Sequence, residues 1–596
     1  APPPRTPRQA ARHRTRPAPR APRPVRVGKP GQRCLGLLLV LAVAFAAVVA
    51  RLVDLQVVAP ERYAAAGIAQ RLRTVPLTAE RGSIFDRTGQ ELAMSVAQKT
   101  IWANPALIDD KKAAATALAP LLGMEAQDVR AKLAGDATFV YLARQIPLEA
   151  AAKVEALKLD GVGIVDESKR FLPKGLLAKS VLGGVDIDSK GISGLEKQYQ
   201  ASLIGTPGEL QIEKAPGNRT IAGGRQHVTP AVRGNDLVLT IDQSLQYEVE
   251  RALADAMRTN TAKHASAIVS DPTTGEILAM ANMGRDEAGN PVPIGENRAL
   301  ITVFEPGSVN KVITMSGALE EGIYAPDSVL NVPDTLALPT HTFSEHEFHG
   351  PQNWTLTDIL TQSSNVGTIK IALKLGPTKV KEYLKRFGLG LPTGLAFPQQ
   401  TDGIINYGHW NATDIGSVPI GQGVGVNALQ MLQVFNTLAN GGVWIEPHLV
   451  KEVVGPKGAQ ATLAAPKQRR VVSERTAKEM TAMMANVVDR GTGMPAQIKG
   501  YTVAGKTGTA RKVIDGQYQK GAYVSSFAGF VPAEAPRLSA IVVFDEPHPY
   551  YAAQVAAPVF ARIGQYGLRQ FKIPAPAKGL GVVVPKAAVA NPNQID

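Results

Sequence analysis

The sequence has 596 residues, of which 44% are hydrophobic and 19% are charged. These fractions exclude a largely disordered or collagen-like chain, and the length predicts three or four domains, since a typical domain has about 150 residues. The formal net charge is +14, and it is distributed unevenly along the chain.

The first 33 residues are strongly basic and rich in proline and alanine. This composition, which has no hydrophobic period, predicts a disordered tail. Such a tail could bind nucleic acid or anionic lipid, but the segment that follows it suggests a simpler role. The ten basic residues, which have no acidic residue among them, are Arg5, Arg8, Arg12, Arg14, Arg16, Arg20, Arg23, Arg26, Lys29 and Arg33.

An uncharged apolar run of 17 residues, 34–50, lies between Arg33 and Arg51. A membrane helix needs about 17–25 residues, whereas the apolar region of a cleaved signal peptide has about 7–15. Because the helical sequence continues beyond Arg51, we predict a transmembrane signal anchor at 34–55 rather than a signal peptide or a buried helix. The positive-inside rule then puts the basic tail in the cytoplasm and the rest of the chain outside. No nucleic-acid partner is therefore expected.

The segment after the anchor mixes helical and strand-like patterns. Residues 56–75 resemble a helical stalk, and residues 81–95 alternate as strands do around an Asp-Arg-Thr-Gly turn. Residues 110–160 are rich in alanine and leucine at helical spacing, so we predict helices there. A strand at 235–242 and an amphipathic helix at 243–257 follow, with a domain boundary predicted near residue 260.

Strand patterns recur at both ends of the remaining segment. Residues 265–282 read as two strands around a turn, and three further strand candidates lie at 501–510, 522–532 and 537–547. Mostly helical segments and loops lie between them, so we predict an α+β fold with a sheet and helices on its faces. The residues from 574 onwards are rich in alanine, valine and proline and are predicted to be a tail.

A serine and a lysine three residues apart, Ser308 and Lys311, follow a Pro-Gly turn at the start of a predicted helix. This spacing puts both side chains on one helix face, where a desolvated lysine can accept the proton of an attacking serine. The same pair could equally be a helix cap and a solvated lysine. Taken alone, the pair does not decide between these readings.

Two further motifs favour the nucleophile. Ser363 and Asn365 lie two apart near the start of a helical stretch, and Lys506, Thr507 and Gly508 end a predicted strand. Ser-x-x-Lys, Ser-x-Asn and Lys-Thr-Gly in this order are the three motifs of the penicillin-interacting serine acyltransferases. The ordered triple is far more specific than any one of its members.

The residue types suggest a division of labour for acyl transfer. Ser308 is the expected nucleophile and Lys311 its base, while Ser363 and Lys506 can pass a proton to the leaving amine. Backbone N–H groups of Ser308 and Thr509 are the expected oxyanion hole. Substrate binding is expected at Asn365, which suits amides, at the hydroxyls of Thr507 and Thr509, which suit a carboxylate, and at Gly508, which lets a peptide lie along the strand edge.

Over nearly its whole length the chain resembles the class B penicillin-binding proteins, monofunctional peptidoglycan D,D-transpeptidases. The segment RGSIFDRTGQELA matches that family's pedestal motif, and SSNVG resembles the FtsI-like division branch. The resemblance implies acyl-enzyme cross-linking of stem peptides in septal wall synthesis, covalent inhibition by β-lactams, and an FtsW-like membrane glycan polymerase and other division proteins as partners. It implies these segments: a basic tail at 1–33, the anchor at 34–55, a stalk and mixed α/β pedestal at 56–258, a transpeptidase domain with a central antiparallel sheet at 259–573, and a tail at 574–596.

Neither a metal nor a cofactor is expected. The histidine-rich segment 341–350 lacks the spacing of a zinc protease, and the glycines of 421–426 lack the context of a nucleotide loop. The only cysteine, Cys34, lies at the membrane boundary, so the exported part has no thiol chemistry. The alternatives left open are a carboxypeptidase or β-lactamase, and a non-catalytic division scaffold or β-lactam sensor.

Overall fold

The computed structural model describes residues 30–58, 61, 72–135, 137–215, 219–220 and 226–576. The chain separates into two compact units, Ala1–Val75 with Glu209–Val228, and Pro76–Gly208 with Thr229–Asp596. The predicted basic tail lies almost wholly outside the described residues, as do most of the predicted stalk and of the C-terminal tail.

The N-terminal helix α1 (Pro30–Val53) is long and apolar and ends in a π-helical turn, Asp54–Val58. Its 24 residues span about 36 Å at 1.5 Å per residue, enough to cross a hydrocarbon core of about 30 Å. None of its residues is buried by the rest of the described chain. Because apolar side chains in this number are otherwise left in water, α1 fits a single-pass membrane anchor.

Eleven strands and six short helices follow in the part of the chain that is described up to residue 239. The strands are β1 (Leu72–Leu77), β2 (Ile84–Phe85), β3 (Glu91–Ala103), β4 (Val140–Ile146), β5 (Val162–Phe171), β6 (Gly184–Val185), β7 (Gly191–Ser193), β8 (Gly208–Ala215), β9 (Arg219–Thr220), β10 (Gln226–Thr229) and β11 (Asp236–Leu239). The helices are α2 (Lys111–Leu122), α3 (Ala126–Leu133), α4 (Leu148–Ala156), α5 (Lys179–Leu182), α6 (Gly194–Gln198) and α7 (Gln200–Leu203).

The rest of the described chain holds the larger part of the helical structure. Its helices are α8 (Gln243–Asn260), α9 (Arg298–Ile301), α10 (Lys311–Glu320), α11 (Leu356–Thr361), α12 (Asn365–Leu375), α13 (Pro377–Arg386), α14 (Asp414–Ser417), α15 (Ala428–Ala439), α16 (Glu474–Arg490) and α17 (Ala552–Gln570). Its strands are β12 (His264–Ser270), β13 (Ile277–Arg285), β14 (Pro291–Pro293), β15 (Val329–Val332), β16 (Thr335–Leu338), β17 (His341–Ser344), β18 (Gln352–Thr355), β19 (Val443–Ile445), β20 (Val450–Val454), β21 (Gln460–Ala461), β22 (Gln468–Arg470), β23 (Ala504–Ile514), β24 (Gln517–Val531) and β25 (Leu538–Asp545).

Strand β3 pairs with three strands, β2, β4 and β5, in a seven-stranded sheet. The strands lie in the order β21-β20-β11-β2-β3-β4, and β5 also pairs with β3 along ten residues. The predicted turn between β2 and β3 is present: Oδ1 of Asp86 accepts hydrogen bonds from the backbone N–H groups of Thr88 and Gln90. Ile101 of β3 and Leu142 of β4 are fully buried against the helices α2–α4.

A buried ion-pair network holds this sheet to the short helices. Nε of Arg81 and Nε of Arg170 each donate to the carboxylate of Glu196, both at 2.6 Å. The side chains of Arg81 and Glu196 are each 2% exposed. Since an isolated charge at this depth would be very costly, each member depends on the others for its burial.

A six-stranded sheet forms the centre of the C-terminal region, with the order β14-β13-β12-β25-β24-β23. Every neighbouring pair in it is antiparallel. Along β12, Ala267 and Val269 point into a core with α8 and α17, whereas Ile268 points into the opposite core with α10, α15 and α16. The structure therefore confirms the predicted α+β class, with helices on both faces of an antiparallel sheet.

Two local predictions were wrong in part. Residues 72–75, the end of the predicted helical stalk, lie in strand β1. Helices were predicted at 110–160 and α2, α3 and α4 lie there, but β4 interrupts them and pairs with β3. The sequence of β4, VYLARQI, contains a β-branched residue at each end and an aromatic residue. These residue types favour strands when a partner strand is available.

Candidate active site

Ser308 lies in a tight turn between the central sheet and helix α10. The 3₁₀ turn Gly307–Asn310 leads directly into α10. Val309 is fully buried, and the amide nitrogen of the Asn310 side chain donates to the carbonyl of Val418 at 2.7 Å. Ser308 itself is half-buried, so it is the residue of this turn that the solvent reaches.

The turn packs closely against a second loop. The backbone N–H of Gly307 donates to the carbonyl of Gly421 at 3.0 Å, and Gly307 has a φ of +57°. A Cβ on Gly421 would lie 2.1 Å from the carbonyl oxygen of Gly307. Glycine is required here because no side chain fits between the two backbones. The glycines of 421–426 thus shape the candidate site.

Lys311 is fully buried and points at the second motif. Its Nζ donates to the carbonyl and the hydroxyl of Ser363, the latter at 3.4 Å, and to Oδ1 of Asn365 at 2.8 Å. Burial lowers the pKa of Lys311 to about 7, and the negative charge of Glu345 acts in the opposite direction. A lysine with this pKa is neutral in a large fraction of molecules near neutral pH, so it can accept a proton.

Ser363 adopts an unusual backbone conformation between α11 and α12. Its φ is +61°, in the left-handed region that residues other than glycine seldom adopt. In this conformation both its carbonyl and its hydroxyl contact the Nζ of Lys311. Strained conformations of this kind are concentrated at functional sites, where the surrounding structure stabilises them.

Lys506 completes the cluster from the edge strand β23. Its Nζ lies 3.0 Å from Oγ of Ser363 and 3.1 Å from the carbonyl of Thr507. Burial lowers the pKa of Lys506 well below its usual value, and the nearby charge of Lys311 lowers it further. The hydroxyl of Ser363 is therefore within hydrogen-bond distance of two buried amines, an arrangement that can pass a proton between them.

Glu345, which the sequence did not single out, holds the second motif in place. One carboxylate oxygen accepts hydrogen bonds from the hydroxyl of Ser364 and the N–H of Val366, and the other accepts from the N–H of Asn365 at 2.9 Å. These donors lie at the N-terminus of α12, where a negative charge is favoured. The only sequence signal was its position in the histidine-rich segment, which was considered as a metal site.

The third motif lies against the turn of Ser308. A Cβ on Gly508 would lie 2.4 Å from Cγ2 of Val309 and 2.6 Å from the carbonyl oxygen of Pro306. This close approach gives Gly508 a packing reason for being glycine, in addition to the expected one of leaving room for a peptide. The hydroxyl of Thr507 contacts that of Thr492 at 2.9 Å, and Oγ1 of Thr509 accepts from the N–H of Ala552 at 3.2 Å.

The structure thus joins Lys311, Ser363, Asn365 and Lys506 into one hydrogen-bonded cluster. Ser308 precedes Lys311 by one helical turn, but its hydroxyl has no hydrogen-bond partner among the described residues. Active-site hydrogen bonds of a free enzyme are often loose and tighten when substrate binds.

The three histidines of 341–350 contact three different residues. The ring of His341 packs edge-on against Phe343, that of His346 against Tyr551, and that of His349 lies 3.6 Å from Asp334. In the described part of the chain, no group of three or more His, Cys, Asp or Glu side chains is arranged to hold a metal ion.

Two protein-family descriptions match the chain. Residues 265–565 match the penicillin-binding protein transpeptidase domain, and residues 76–239 match the penicillin-binding protein dimerisation domain. The chain is 34% identical to peptidoglycan D,D-transpeptidase FtsI of Escherichia coli over 554 residues, which cover 90% of this chain and 91% of that protein. It is 32% identical to penicillin-binding protein PbpB of Mycolicibacterium smegmatis over 560 residues, 85% of each chain.

Solved structures of penicillin-binding proteins agree with these family matches. The crystal structure of penicillin-binding protein 3 from Mycobacterium tuberculosis, 30% identical, superposes with a TM-score of 0.66 over 84% of this chain and 98% of that one. The same protein has been solved in complex with aztreonam and with ampicillin. The chain therefore belongs to the class B penicillin-binding proteins, in which a dimerisation domain precedes a transpeptidase domain. By enzyme class it is a serine-type peptidoglycan D,D-transpeptidase, like its FtsI relatives.

Proposed function

We propose that Ser308 is the nucleophile with which this enzyme cross-links stem peptides of septal peptidoglycan. Its Oγ attacks the carbonyl carbon of the penultimate D-Ala, the terminal D-Ala leaves as a free amino acid, and an acyl-enzyme ester remains. The amine of a neighbouring stem peptide then attacks that ester and releases Ser308. The observation that carries the proposal is that the hydroxyl of Ser363 contacts two buried lysines. One is Lys311, which lies one helical turn beyond Ser308, and the other is Lys506.

Lys311 is the base in this proposal. A pKa of about 7, set by burial, leaves a neutral amine that can take the proton of Ser308 as its oxygen attacks. The short i to i+3 spacing keeps the amine on the side of the helix that carries Ser308. The contact with Asn365 Oδ1 fixes the direction of the amine. The side-chain nitrogen of Asn365 donates one hydrogen bond to the carbonyl of Ser344 and has a second N–H with which to meet a substrate amide.

Ser363 and Lys506 deliver the proton to the leaving group. Oγ of Ser363 passes its own proton to the nitrogen of the departing D-Ala and takes up the proton that Lys311 received from Ser308. Lys506 stabilises the negative charge that develops on Oγ of Ser363 during this transfer. The 3.0 Å distance between Lys506 Nζ and Ser363 Oγ supports this relay. In the second half-reaction the relay runs in reverse and accepts a proton from the attacking amine.

The β23 edge binds the donor peptide. The hydroxyls of Thr507 and Thr509 meet its terminal carboxylate, and the backbone at Gly508 lies along it. The N–H groups of Ser308 and Thr509 form the oxyanion hole. Support comes from the packing of Gly508 against the Ser308 turn, which brings these two segments together. β-Lactams, which the structural relative from M. tuberculosis binds, acylate Ser308 in place of the stem peptide.

The anchor helix orients the enzyme. The ten basic residues of 1–33, nine of which precede α1, favour a cytoplasmic N-terminus, so the transpeptidase domain lies outside the membrane, where stem peptides occur. We infer a pedestal at 56–258 and a transpeptidase domain at 259–573, boundaries that the matched segments 76–239 and 265–565 support. An FtsW-like glycan polymerase and other division proteins in the same membrane are the proposed partners.

Peptide products test the proposal. The full-length protein in nanodiscs is incubated with a stem pentapeptide that ends in D-Ala-D-Ala and carries a free side-chain amine. We expect one cross-linked dimer, with the mass of two peptides less one D-Ala, for each D-Ala released. Ser308→Ala should release none, whereas Ser316→Ala, which removes a hydroxyl bonded only to Val312 O in the same helix, should retain activity. Release of D-Ala with tetrapeptide as the sole product would instead indicate a hydrolase, and dimer formed by Ser308→Ala would exclude Ser308.

A further inference from the structure

A cavity of about 430 Å³ opens beside the Ser308 turn and contains none of the proposed catalytic residues. Its floor is one face of the central sheet, with Ser266 of β12, Val524 of β24 and Val543 of β25. Its walls are the segments 302–305 and 423–425. The volume lies within the range of small-molecule sites, about 300–1,000 Å³.

Most of the surface that lines the cavity is apolar. Val524, Val424 and Ala428 line the interior and are buried. At the mouth, the side chains of Ile404 and Val513 also line the cavity but are 69% and 43% exposed. Large apolar side chains that remain in water beside an open apolar cavity are typical of a surface that a ligand covers.

Three cations and two carboxylates line the cavity, and they are paired unevenly. Asp545 is neutralised by Lys512 at 2.7 Å and by Arg298 at 3.8 Å. The carboxylate of Glu305 accepts hydrogen bonds from the N–H of Gly423 at 2.7 Å and from the hydroxyl of Tyr518.

Arg511 also lines the cavity, and among the described residues it has neither an ion pair nor a side-chain hydrogen bond. A guanidinium in this position can bind a carboxylate with two parallel hydrogen bonds. The guanidinium of Arg511 is therefore available to a ligand, and it lies beside exposed apolar side chains at the mouth.

We propose that this cavity is a second ligand site, separate from the acylation site, for a small molecule with an apolar body and one carboxylate. The apolar body lies on Val524 and Val543, and the carboxylate meets Arg511 at the mouth. A ligand bound there lies against Glu305, three residues before Ser308. The proposal does not require the catalytic roles given above, because it concerns a different set of side chains.

Photolabelling of the full-length protein in nanodiscs tests this site. The probe is 4-(3-trifluoromethyl-diazirin-3-yl)benzoate, and its neutral amide is the matched control. We expect the acid to label peptides that contain residues 298–305, 423–428 or 511–513, saturably and in competition with 4-phenylbutanoate. The amide should label these peptides about tenfold less, since it lacks the charge that pairs with Arg511.

Variants and acylated protein separate the possible outcomes. Arg511→Gln should reduce labelling by the acid about tenfold and leave labelling by the amide unchanged, and Ile404→Asn should reduce both. Arg475→Gln, at an arginine that is 67% exposed on α16, is the control and should change neither. Ser308→Ala and protein acylated with benzylpenicillin should label as the wild type does. Labelling that is lost on acylation, that is equal for acid and amide, or that survives Arg511→Gln would overturn the proposal.

Discussion

Nζ of Lys506 lies 3.0 Å from Oγ of Ser363, although 143 residues separate them in the chain. The same hydroxyl also contacts Lys311, so a single serine connects an amine on the edge strand to an amine on the helix that follows the nucleophile turn. Two ammonium groups cannot both remain charged at low cost in one buried site. Burial lowers the pKa of each lysine, and the charge of Lys311 lowers the pKa of Lys506 further, so the two lysines are proton carriers rather than fixed charges.

Replacing Lys311 by Met tests its role as the base. Methionine keeps the apolar length of the side chain and removes the amine, so the rate of acylation by a fluorescent penicillin should fall about 10²–10⁴-fold. In the wild type the rate should rise with pH through about 7, because the protonated amine cannot accept a proton and the neutral amine can. Lys374→Met, at an exposed position in the last turn of α12, is the control. A wild-type rate that does not change between pH 6 and 8 would contradict the assignment.

Glu345→Gln should separate positioning from chemistry. The carboxylate raises the pKa of Lys311 against the effect of burial, so its neutralisation should move the acid limb of the acylation profile to lower pH. The variant should also lose about 1–3 kcal/mol of stability, because hydrogen bonds to Ser364, Asn365 and Val366 lose their charged acceptor.

The matched control for this variant is Glu347→Gln, two residues further along the same segment and exposed to solvent. Stopped-flow acylation across pH, with thermal unfolding in parallel, gives both quantities. A stability loss without movement of the acid limb would make Glu345 a structural residue only.

Gly508→Ala should move the edge strand away from the nucleophile turn. The added Cβ would meet Val309 at 2.4 Å and the carbonyl of Pro306 at 2.6 Å, and a backbone atom cannot be displaced by a rotamer change. We expect a loss of about 1–3 kcal/mol of stability and a lower acylation rate. Gly295→Ala, where the nearest atom outside the neighbouring residues is 4.0 Å away, should be neutral in both measurements. Equal effects of the two substitutions would exclude this packing argument.

Glu196→Gln should destabilise the pedestal strongly. Arg81 and Arg170 would then be buried without their shared carboxylate, at a cost of about 3–5 kcal/mol. Glu479→Gln is the control, because its carboxylate meets the exposed Arg475 only at 4.0 Å. Chemical denaturation followed by circular dichroism measures the difference. Similar midpoints for the two variants would show that the buried network adds no net stability.

The sequence predicted what is encoded by short-range patterns. Ser308 and Lys311, and likewise Ser363 and Asn365, are recognisable because their spacing is local. The strands β12, β13, β23, β24 and β25 were predicted because their alternation or apolar runs are local as well. The order of the three motifs added the only long-range information available.

Features that depend on tertiary contacts were not predicted. Glu345 reaches Lys311 and the N-terminus of α12 only after the chain has folded. Nothing in the residues next to Glu345 indicates that its carboxylate will accept hydrogen bonds from the N–H groups of Asn365 and Val366. The strand β4 was missed because its partner β3 lies far away in the sequence. The closeness of Gly508 to Val309 is a contact between two segments that no local pattern connects.

The central claim is that Ser308 forms the acyl-enzyme, and intact-mass spectrometry after exposure to benzylpenicillin tests it most directly. The wild-type protein should gain the mass of one benzylpenicillin, and peptide mapping should find it on the segment that contains Ser308. Ser308→Ala should gain no mass, while Ser316→Ala should gain the same single adduct as the wild type. An adduct of the same mass on Ser308→Ala would contradict the account.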